Sequence, residues 1–254
     1  MKNINVQKRR KGQKGFTLVE LAVVMIIVGL LIGGILKGQE LITNAQVAAT
    51  IAQAKGIDAA VSTFRDSYRA IPGDMANANT RLADCTAAPC STNGNGDGRI
   101  STAATPSTPI APDAIITAGT EASNFFVHLA TADLISGVQN ANNVNFGEGL
   151  PETSIGGGYT VGFHASGTLG QNTNARGGHY LAIRDTAGTA PTAGLGVLTA
   201  AQASRIDTKM DDGDPTSGSV FSDNATNCTT GGTPDVYDEA NNPLGCYLYV
   251  RIQS

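Results

Sequence analysis

A single carboxylate lies inside the longest apolar run of this 254-residue chain. The run covers the 21 residues from 16 to 36, and Glu20 is its only charged residue. About 20 apolar residues suffice for a helix to cross a bilayer, and a charge inside such a helix costs about 3 kcal/mol or more. We therefore expect Glu20 to have a function. The alternative is a plain membrane anchor that tolerates one acid near its end.

A basic segment precedes the apolar run. Residues 1–14 contain six basic residues and no acidic one, which predicts that the N-terminus stays in the cytoplasm. A secretory signal peptide is cleaved behind its apolar region, at a small-x-small site. Here no such site closes the run, and the small residue, Gly15, stands in front of it. The pattern therefore indicates a retained helix rather than a discarded signal.

The hexapeptide Gly-Phe-Thr-Leu-Val-Glu at residues 15–20 resembles the class III leader and N-terminal core of type IV pilins and type II secretion pseudopilins. The resemblance extends over roughly residues 8–70. It implies cleavage after Gly15 by a prepilin peptidase, N-methylation of Phe16, and assembly into a helical filament. The peptidase and N-methyltransferase, the inner-membrane assembly platform, and other pilin subunits are the partners that it implies.

The physical chemistry of Phe16 and Glu20 agrees with this implication. Cleavage leaves a free α-amine on Phe16, and such amines titrate near pH 8. In a medium of low dielectric constant, that cation would attract the Glu20 carboxylate of a neighbouring subunit far more strongly than in water. We expect the charge pair to set the register of assembly.

The four cysteines form two pairs along the sequence, Cys85 with Cys90 and Cys228 with Cys246. An even count outside the cytoplasm indicates disulfides. Among three connectivities we favour local pairing, in which closing the 17 residues between Cys228 and Cys246 would stabilise the fold by about 3 kcal/mol. Metal ligation and free thiols are the alternatives, but neither pair has the spacing or the nearby histidine of a metal site.

One stretch resembles the first half of an EF-hand-like calcium loop. Asn93, Asn95 and Asp97 place oxygen-bearing side chains at alternate positions, and Gly98 follows the third of them. The twelfth position is Ala104 rather than a bidentate glutamate. A plain Asn/Gly turn explains the same residues and is the favoured interpretation, and a calcium ion bound by Asn93, Asn95 and Asp97 is the alternative. No other cofactor is expected.

Two further sets of residues carry weaker signals. The acids of Asp211-Asp212-Gly213-Asp214 could bind calcium, although a solvated turn that caps the preceding helix is the favoured interpretation. His128, His164 and His179 form no pair with metal-ligand spacing, so they are expected to be ordinary core or surface residues.

Composition limits the classes of function. Removal of residues 1–15 leaves 11 basic against 21 acidic residues, a formal charge of −10. This balance argues against a nucleic-acid-binding patch and suits an exposed soluble surface. G-x-S-x-G, P-loop and H-E-x-x-H motifs do not occur in the sequence. We therefore expect a protein that is not an enzyme, with a membrane-anchored secreted enzyme or binding module as the remote alternative.

The elements that position these residues begin with one long helix. No proline occurs between Phe16 and Ile71, and residues 57, 61, 64 and 68 are apolar or aromatic at helical spacing. A helix over about residues 17–69 would be roughly 80 Å long. We predict four segments: a cleaved leader (1–15), a transmembrane and filament-core helix (16–36), an amphipathic stalk helix (37–70) and a globular head (71–254).

The head is predicted to be α+β, with an antiparallel sheet packed against the long helix. Helices are expected over residues 121–136 and 199–210. Strands are expected over residues 159–164, 180–184, 196–198 and 246–252, the last with clear alternation of side chains. Residues 79–120 are predicted to form a long ordered loop.

These observations favour a structural subunit of a type IV pilus-like filament for adhesion, motility or DNA uptake. The alternative is a pseudopilin of a type II secretion system, but a cysteine-bounded loop near the end of the sequence resembles the type IV pilins more closely. Before assembly the chain would be a single-pass protein in the bacterial inner membrane, in contact with lipid. Afterwards it would lie in a cell-surface or periplasmic filament.

Overall fold

A computed structural model describes residues 15–101, 111–112, 114–188, 196–223, 227–240 and 244–252. The chain divides into two compact units, residues 1–44 and residues 45–254. The boundary falls inside the first helix, so the second half of that helix belongs to the same compact unit as the head. The predicted α+β class, with a long N-terminal helix and an antiparallel sheet, is confirmed.

Helix α1 covers Leu18–Tyr68, within one residue of the predicted bounds at each end. In its first part, residues 18–37 are exposed all round. In its second part, one face is buried, and its members are Val47, Thr50, Ile51, Ala54, Ile57, Ala60, Val61 and Phe64. This change from a uniformly apolar to an amphipathic pattern follows the sequence, because apolar residues at i, i+3, i+4 and i+7 form a single stripe.

The second unit is built on a four-stranded antiparallel sheet with strand order β1-β4-β6-β5. Its strands are β1 (Gly158–His164), β4 (Gly178–Arg184), β5 (Val220–Ser222) and β6 (Leu248–Ile252). Strands β2 (Gly167–Leu169) and β3 (Asn172–Ala175) form a separate hairpin. In the sheet, Tyr180 lies opposite Gly162 of β1 and Arg251 of β6.

Both faces of this sheet are buried. Leu248, Val250 and Ile252 of β6 belong to the main core, together with the buried stripe of α1. Tyr249 points to a second, smaller core on the other face, which includes Leu169 of β2. The predicted alternation of β6 is therefore confirmed, although Arg251 on the second face is exposed. The hydroxyl of Tyr159 on β1 also donates to the carbonyl of Thr50 on α1 at 2.7 Å.

Three further helices complete the unit: α2 (Ala78–Arg81), α3 (Glu121–Thr131) and α4 (Ala200–Met210). Each of the two longer ones begins at a threonine cap. Thr120 accepts a hydrogen bond from the N–H of Ser123, and Thr199 forms a capping box with Gln202. Such caps satisfy N–H groups that lack partners inside the helix.

Two predicted elements are corrected by the structure. Helix α3 ends at Thr131 rather than at residue 136, because Asp133 adopts a left-handed conformation (φ 57°) and the N–H of Leu134 bonds back to Leu129, as in a Schellman motif. Residues 196–198 form no strand. Only Leu198 makes a bridge, to Cys246, because Thr199 already caps α4.

The sequence patterns missed several short elements, namely α2, β2, β3 and β5. Each has three or four residues, which is too short to display a period. Asn172 and Asn174 in β3 also lack the β-branched or aromatic composition typical of strands.

Both predicted disulfides are present, and both are local. Cys85 bonds to Cys90, and Cys228 bonds to Cys246. All four cysteines are buried in the main core. The second disulfide links Cys228, which follows β5, to Cys246, which precedes β6. Cys246 also pairs with Leu198 in an isolated β-bridge.

Candidate functional site

The start of α1 is held by a reciprocal pair of hydrogen bonds between Thr17 and Glu20. The Glu20 carboxylate accepts from the N–H of Thr17 at 2.9 Å and from its hydroxyl at 3.0 Å. In return, the Thr17 hydroxyl oxygen accepts from the N–H of Glu20 at 3.2 Å. The first bond of the helix follows, from the N–H of Leu21 to the carbonyl of Thr17. Thr17 and Glu20 thus form a capping box.

This role of Glu20 was missed in the sequence analysis, although the signal was present. Thr17-Leu18-Val19-Glu20 matches the pattern of a threonine followed three residues later by glutamate and then by an apolar run. The Glu20 carboxylate therefore has a partner in the single chain. Its predicted pairing with the Phe16 amine of a neighbour stays a prediction, because the α-amine exists only after cleavage.

The surface around this capping box is apolar and uncovered. Every residue from 15 to 37 is exposed, and 90% of the Phe16 surface is accessible. By length and composition alone, α1 contains a window apolar enough to cross a membrane, and that window is not buried in the chain. A helix that is apolar all round requires lipid or protein around it. These properties fit a single-pass, membrane-anchored protein.

Gly15 has no structural reason of its own to be glycine. A Cβ atom added at Gly15 would meet no atom within 4 Å, and the backbone of Gly15 is not in the left-handed region. In the part of the chain that the structure describes, nothing would obstruct a Cβ atom at this position.

The predicted calcium loop is organised around two buried carboxylates that the sequence analysis did not single out. Asp74 accepts backbone hydrogen bonds from Gly96 at 2.7 Å, from Asp97 at 3.2 Å and from Gly98 at 2.8 Å. Glu121, at the start of α3, accepts from the N–H groups of Asn95 and Ser101. Burial raises the pKa of both carboxyl groups. The loop thus turns its N–H groups, rather than its carbonyl oxygens, toward Asp74 and Glu121.

The side-chain oxygens of the three predicted calcium ligands all accept hydrogen bonds from backbone N–H groups, from two residues onward for Asn95 and Asp97 and from α2 for Asn93. Asn93 accepts from the N–H of Asn79, Asn95 accepts from that of Asp97, and Asp97 accepts from that of Arg99. This arrangement is the one expected of an Asn/Gly turn. Ala104, the twelfth position of the calcium pattern, lies outside the described residues. Calcium binding gains no support from this geometry and stays a prediction.

At the acidic turn after α4, the structure brings Asp207 of α4 close to two of the three aspartates of the turn, Asp211 and Asp212. One oxygen each of Asp207, Asp211 and Asp212 lies within 4.8 Å of the others. Asp207 is buried and accepts from the Tyr237 hydroxyl at 2.8 Å and from the N–H of Gly213 at 3.2 Å. Burial raises the pKa of Asp207 to about 7.

Two of the three histidines, His128 and His179, are buried, whereas His164 is half-buried. His128 has a specific structural role. Its ring is fully buried. Nδ1 accepts from the N–H of Gly73 at 2.9 Å, and Nε2 lies 3.0 Å from the carbonyl of Cys90. His128 therefore connects the turn after α1 with the Cys85–Cys90 loop. Burial lowers its pKa to about 4. His179 is also buried, and its pKa is lowered to about 4 for the same reason.

Comparison with known proteins gives one match. Residues 10–36 match the family model of the prokaryotic N-terminal methylation motif. No curated protein and no solved structure matches the chain significantly. The matched segment contains Gly15, Phe16, Thr17 and Glu20, so it coincides with the capping box and the exposed apolar start of α1. The resemblance on which the sequence analysis relied is confirmed: the chain carries the N-terminal methylation motif of type IV pilin and pseudopilin precursors.

Proposed function

We propose that this chain is a structural subunit of a type IV pilus-like filament. A prepilin peptidase cleaves it after Gly15, the new amine of Phe16 is methylated, and the subunits polymerise through the apolar part of α1. The observation that carries this proposal is the methylation motif at residues 10–36. That motif overlaps the start of α1, and every residue from 15 to 37 is exposed in the described part of the chain.

The geometry of Gly15 and Phe16 supports the cleavage step. A peptidase must reach an extended segment of its substrate, and residues 15–17 precede α1 in non-helical conformation. The absence of any atom near Gly15 also supports recognition of the glycine by an enzyme.

The pairing of Glu20 with a neighbour would require a change of partner. In the single chain its carboxylate caps α1 through Thr17. In the proposed filament the methylated Phe16 amine of a neighbour would compete for that carboxylate. A cation in a medium of low dielectric constant is a stronger partner than a neutral N–H group. Assembly would therefore exchange a local hydrogen bond for an interaction between subunits.

The choice of a pilus rather than a secretion pseudopilus is supported by the second disulfide. Cys228–Cys246 encloses a loop whose Tyr237 bonds to the buried Asp207 of α4. This loop resembles the disulfide-bounded region of type IV pilins. We propose a structural rather than a catalytic role, because two buried groups with displaced pKa values, His128 and Asp207, have structural hydrogen-bond partners.

Sheared surface filaments test the proposal. We expect the mature chain, beginning at Phe16, in filaments sheared from cells, and loss of the leader to depend on the prepilin peptidase. Absence of the chain from such filaments, combined with a secretion defect on deletion, would favour the pseudopilin instead. A full-length chain that retains residues 1–15 in cells with an active peptidase would refute both assignments.

A further inference from the structure

Three arginines from two parts of the second unit line one open cavity of about 800 Å³. Arg65 lies in the last turn of α1, Arg69 follows the end of that helix, and Arg81 is the last residue of α2. The mature chain has only 11 basic residues, so more than a quarter of them are at this cavity. The cluster is difficult to recognise in the sequence, because Arg81 belongs to a separate element.

The positive charges at this cavity are not neutralised by ion pairs. In the part of the chain that the structure describes, none of the three guanidinium groups has a hydrogen bond or an ion pair. Two acids, Asp66 and Asp74, also line the cavity. Asp66 makes no ion pair there, and the carboxylate of Asp74 is occupied by the N–H groups of Gly96, Asp97 and Gly98. Even with both acids ionised, the lining keeps an excess of positive charge.

The stability of the end of α1 does not by itself explain why Arg65 and Arg69 both lie there. Cations near the C-terminus of a helix interact favourably with its dipole, which explains one arginine near the end of α1. Arg69 lies four residues after Arg65, and two like charges at this spacing repel each other. Arg69 also has a φ of 49°, the left-handed conformation that usually terminates helices at glycine.

Arg81 is held toward the cavity by an aromatic ring. Its guanidinium carbon lies 5.8 Å from the centre of the Tyr68 ring, within the range of a cation–π interaction. Tyr68 in turn packs against Phe64 of the core, with ring centres 4.6 Å apart and the ring planes tilted by 37°. The position of Arg81 is therefore connected to the main core through two aromatic residues.

We propose that this cavity binds an anion that carries several oxyanion groups, either phosphates or carboxylates. Guanidinium groups bind both phosphates and carboxylates through paired N–H donors. The volume lies in the range of about 300–1,000 Å³ that is typical of small-molecule sites, which favours a polyanion over a single inorganic ion. The site belongs entirely to the second unit, and its occupation does not depend on cleavage or polymerisation.

Titration of the purified full-length chain, held in a non-ionic detergent, tests this site. The probes are tripolyphosphate, citrate and inorganic phosphate, measured by calorimetry at about 0.05 M ionic strength to limit screening. We expect tripolyphosphate or citrate to bind at least about ten-fold more tightly than inorganic phosphate, because each additional charged hydrogen bond is worth about a factor of ten. Binding of tripolyphosphate alone would assign the site to phosphates, and binding of citrate alone to carboxylates.

A matched pair of variants locates the binding. Replacing Arg65, Arg69 and Arg81 with glutamine should weaken binding about a hundred-fold or more. The control replaces Lys55, Arg176 and Lys209 with glutamine, which removes the same charge from exposed positions and should leave the affinity within about two-fold. The thermal unfolding of each variant without ligand shows whether it is folded. Equal loss in both variants, or no binding of tripolyphosphate and citrate to the unmodified chain, would overturn the proposal.

Discussion

The Thr17 and Glu20 side chains bond to each other's backbone N–H groups, at 2.9 Å to the Glu20 carboxylate and at 3.2 Å to the Thr17 hydroxyl. One carboxylate therefore has two candidate tasks: it caps α1 in the single chain, and it is proposed to bind the Phe16 amine of a neighbour. The two tasks need different chemistry. Capping requires only an acceptor, which a glutamine also supplies, whereas the charge pair requires an anion.

Replacing Glu20 with glutamine separates these tasks. Glu20→Gln keeps the cap and removes the charge, so we expect normal membrane insertion and cleavage but far fewer filaments. Thr17→Val weakens the cap by about 1 kcal/mol and keeps the charge, so filaments should persist. The measurement is the amount of processed chain and of sheared filament from each strain. Abundant filaments from Glu20→Gln and few from Thr17→Val would show that the cap, not the charge, matters.

Substitution of Gly15 should block processing, and with it the later assembly steps, without changing the stability of the chain. Because a Cβ atom at Gly15 would contact no atom of the described residues, Gly15→Leu should leave the thermal stability of the chain unchanged while the leader remains attached. Gly15→Ala should show a milder defect. The intact mass of the chain from membranes distinguishes cleaved from uncleaved product. Complete cleavage of Gly15→Leu would contradict recognition of the glycine by the peptidase.

The stability of the second unit should fall in mild acid because of His128. Burial lowers the pKa of His128 to about 4 from its ordinary 6.5. Between these values the unfolded chain binds a proton that the native chain does not, so the free energy of unfolding decreases as the pH falls. Protonation would also remove the acceptor for the N–H of Gly73.

Glutamine can replace both hydrogen bonds of His128 without titrating. His128→Gln should therefore show a smaller decrease in stability between about pH 6.5 and pH 4.5 than the unmodified chain, whereas His164→Gln should retain the decrease. Tyrosine fluorescence during urea unfolding reports on this unit, since all six tyrosines lie between residues 68 and 249. An unchanged pH dependence in His128→Gln would contradict this role.

Asp207 should have the opposite effect on the pH dependence of stability. Its pKa is raised to about 7 from 3.8, chiefly by burial and also by the nearby Asp212 and Asp211. Between these values the native chain holds a proton that the unfolded chain has lost. The stability contributed by the neutral group is complete below about pH 4 and decreases as the pH rises toward 7.

Asp207→Asn keeps the neutral form at every pH. The variant should be at least as stable as the unmodified chain near pH 8, and its stability should change less between about pH 5 and pH 8. Tyr237→Phe, which removes the hydroxyl donor to Asp207, should make the decrease steeper. A loss of stability in Asp207→Asn that is larger at pH 8 than at pH 5 would mean that the native chain needs the ionised carboxylate.

The sequence alone predicted the features that arise from long periodic patterns or from local spacing. The bounds of α1 were correct to one residue, because 51 residues of uninterrupted helical pattern end near Pro72. The alternation of β6 and the local disulfides were also predicted. Short strands such as β5 were missed, since three residues display no period and depend on pairing with β6.

The residues that organise the loops were harder to predict, because their partners lie far away in the sequence. Asp74 is 22 residues from Gly96, and Glu121 is 26 residues from Asn95. The calcium pattern at residues 93–97 could be recognised locally, but the two acids that hold its N–H groups could not. The capping role of Glu20, in contrast, could have been predicted from the sequence, because the capping-box pattern lies entirely within residues 17–20.

The packing of α1 also determines where a soluble fragment of the protein has to start. The core of the second unit begins at Val47, which is completely buried. A cut at residue 71 would remove Ile57, Val61 and Phe64 together with Val47, and the apolar face of the sheet would be left in water. Such a fragment would aggregate. A fragment that begins at Ala45 keeps the whole buried stripe and omits the exposed Leu41 and Ile42, so it is the natural starting material for crystals and binding assays.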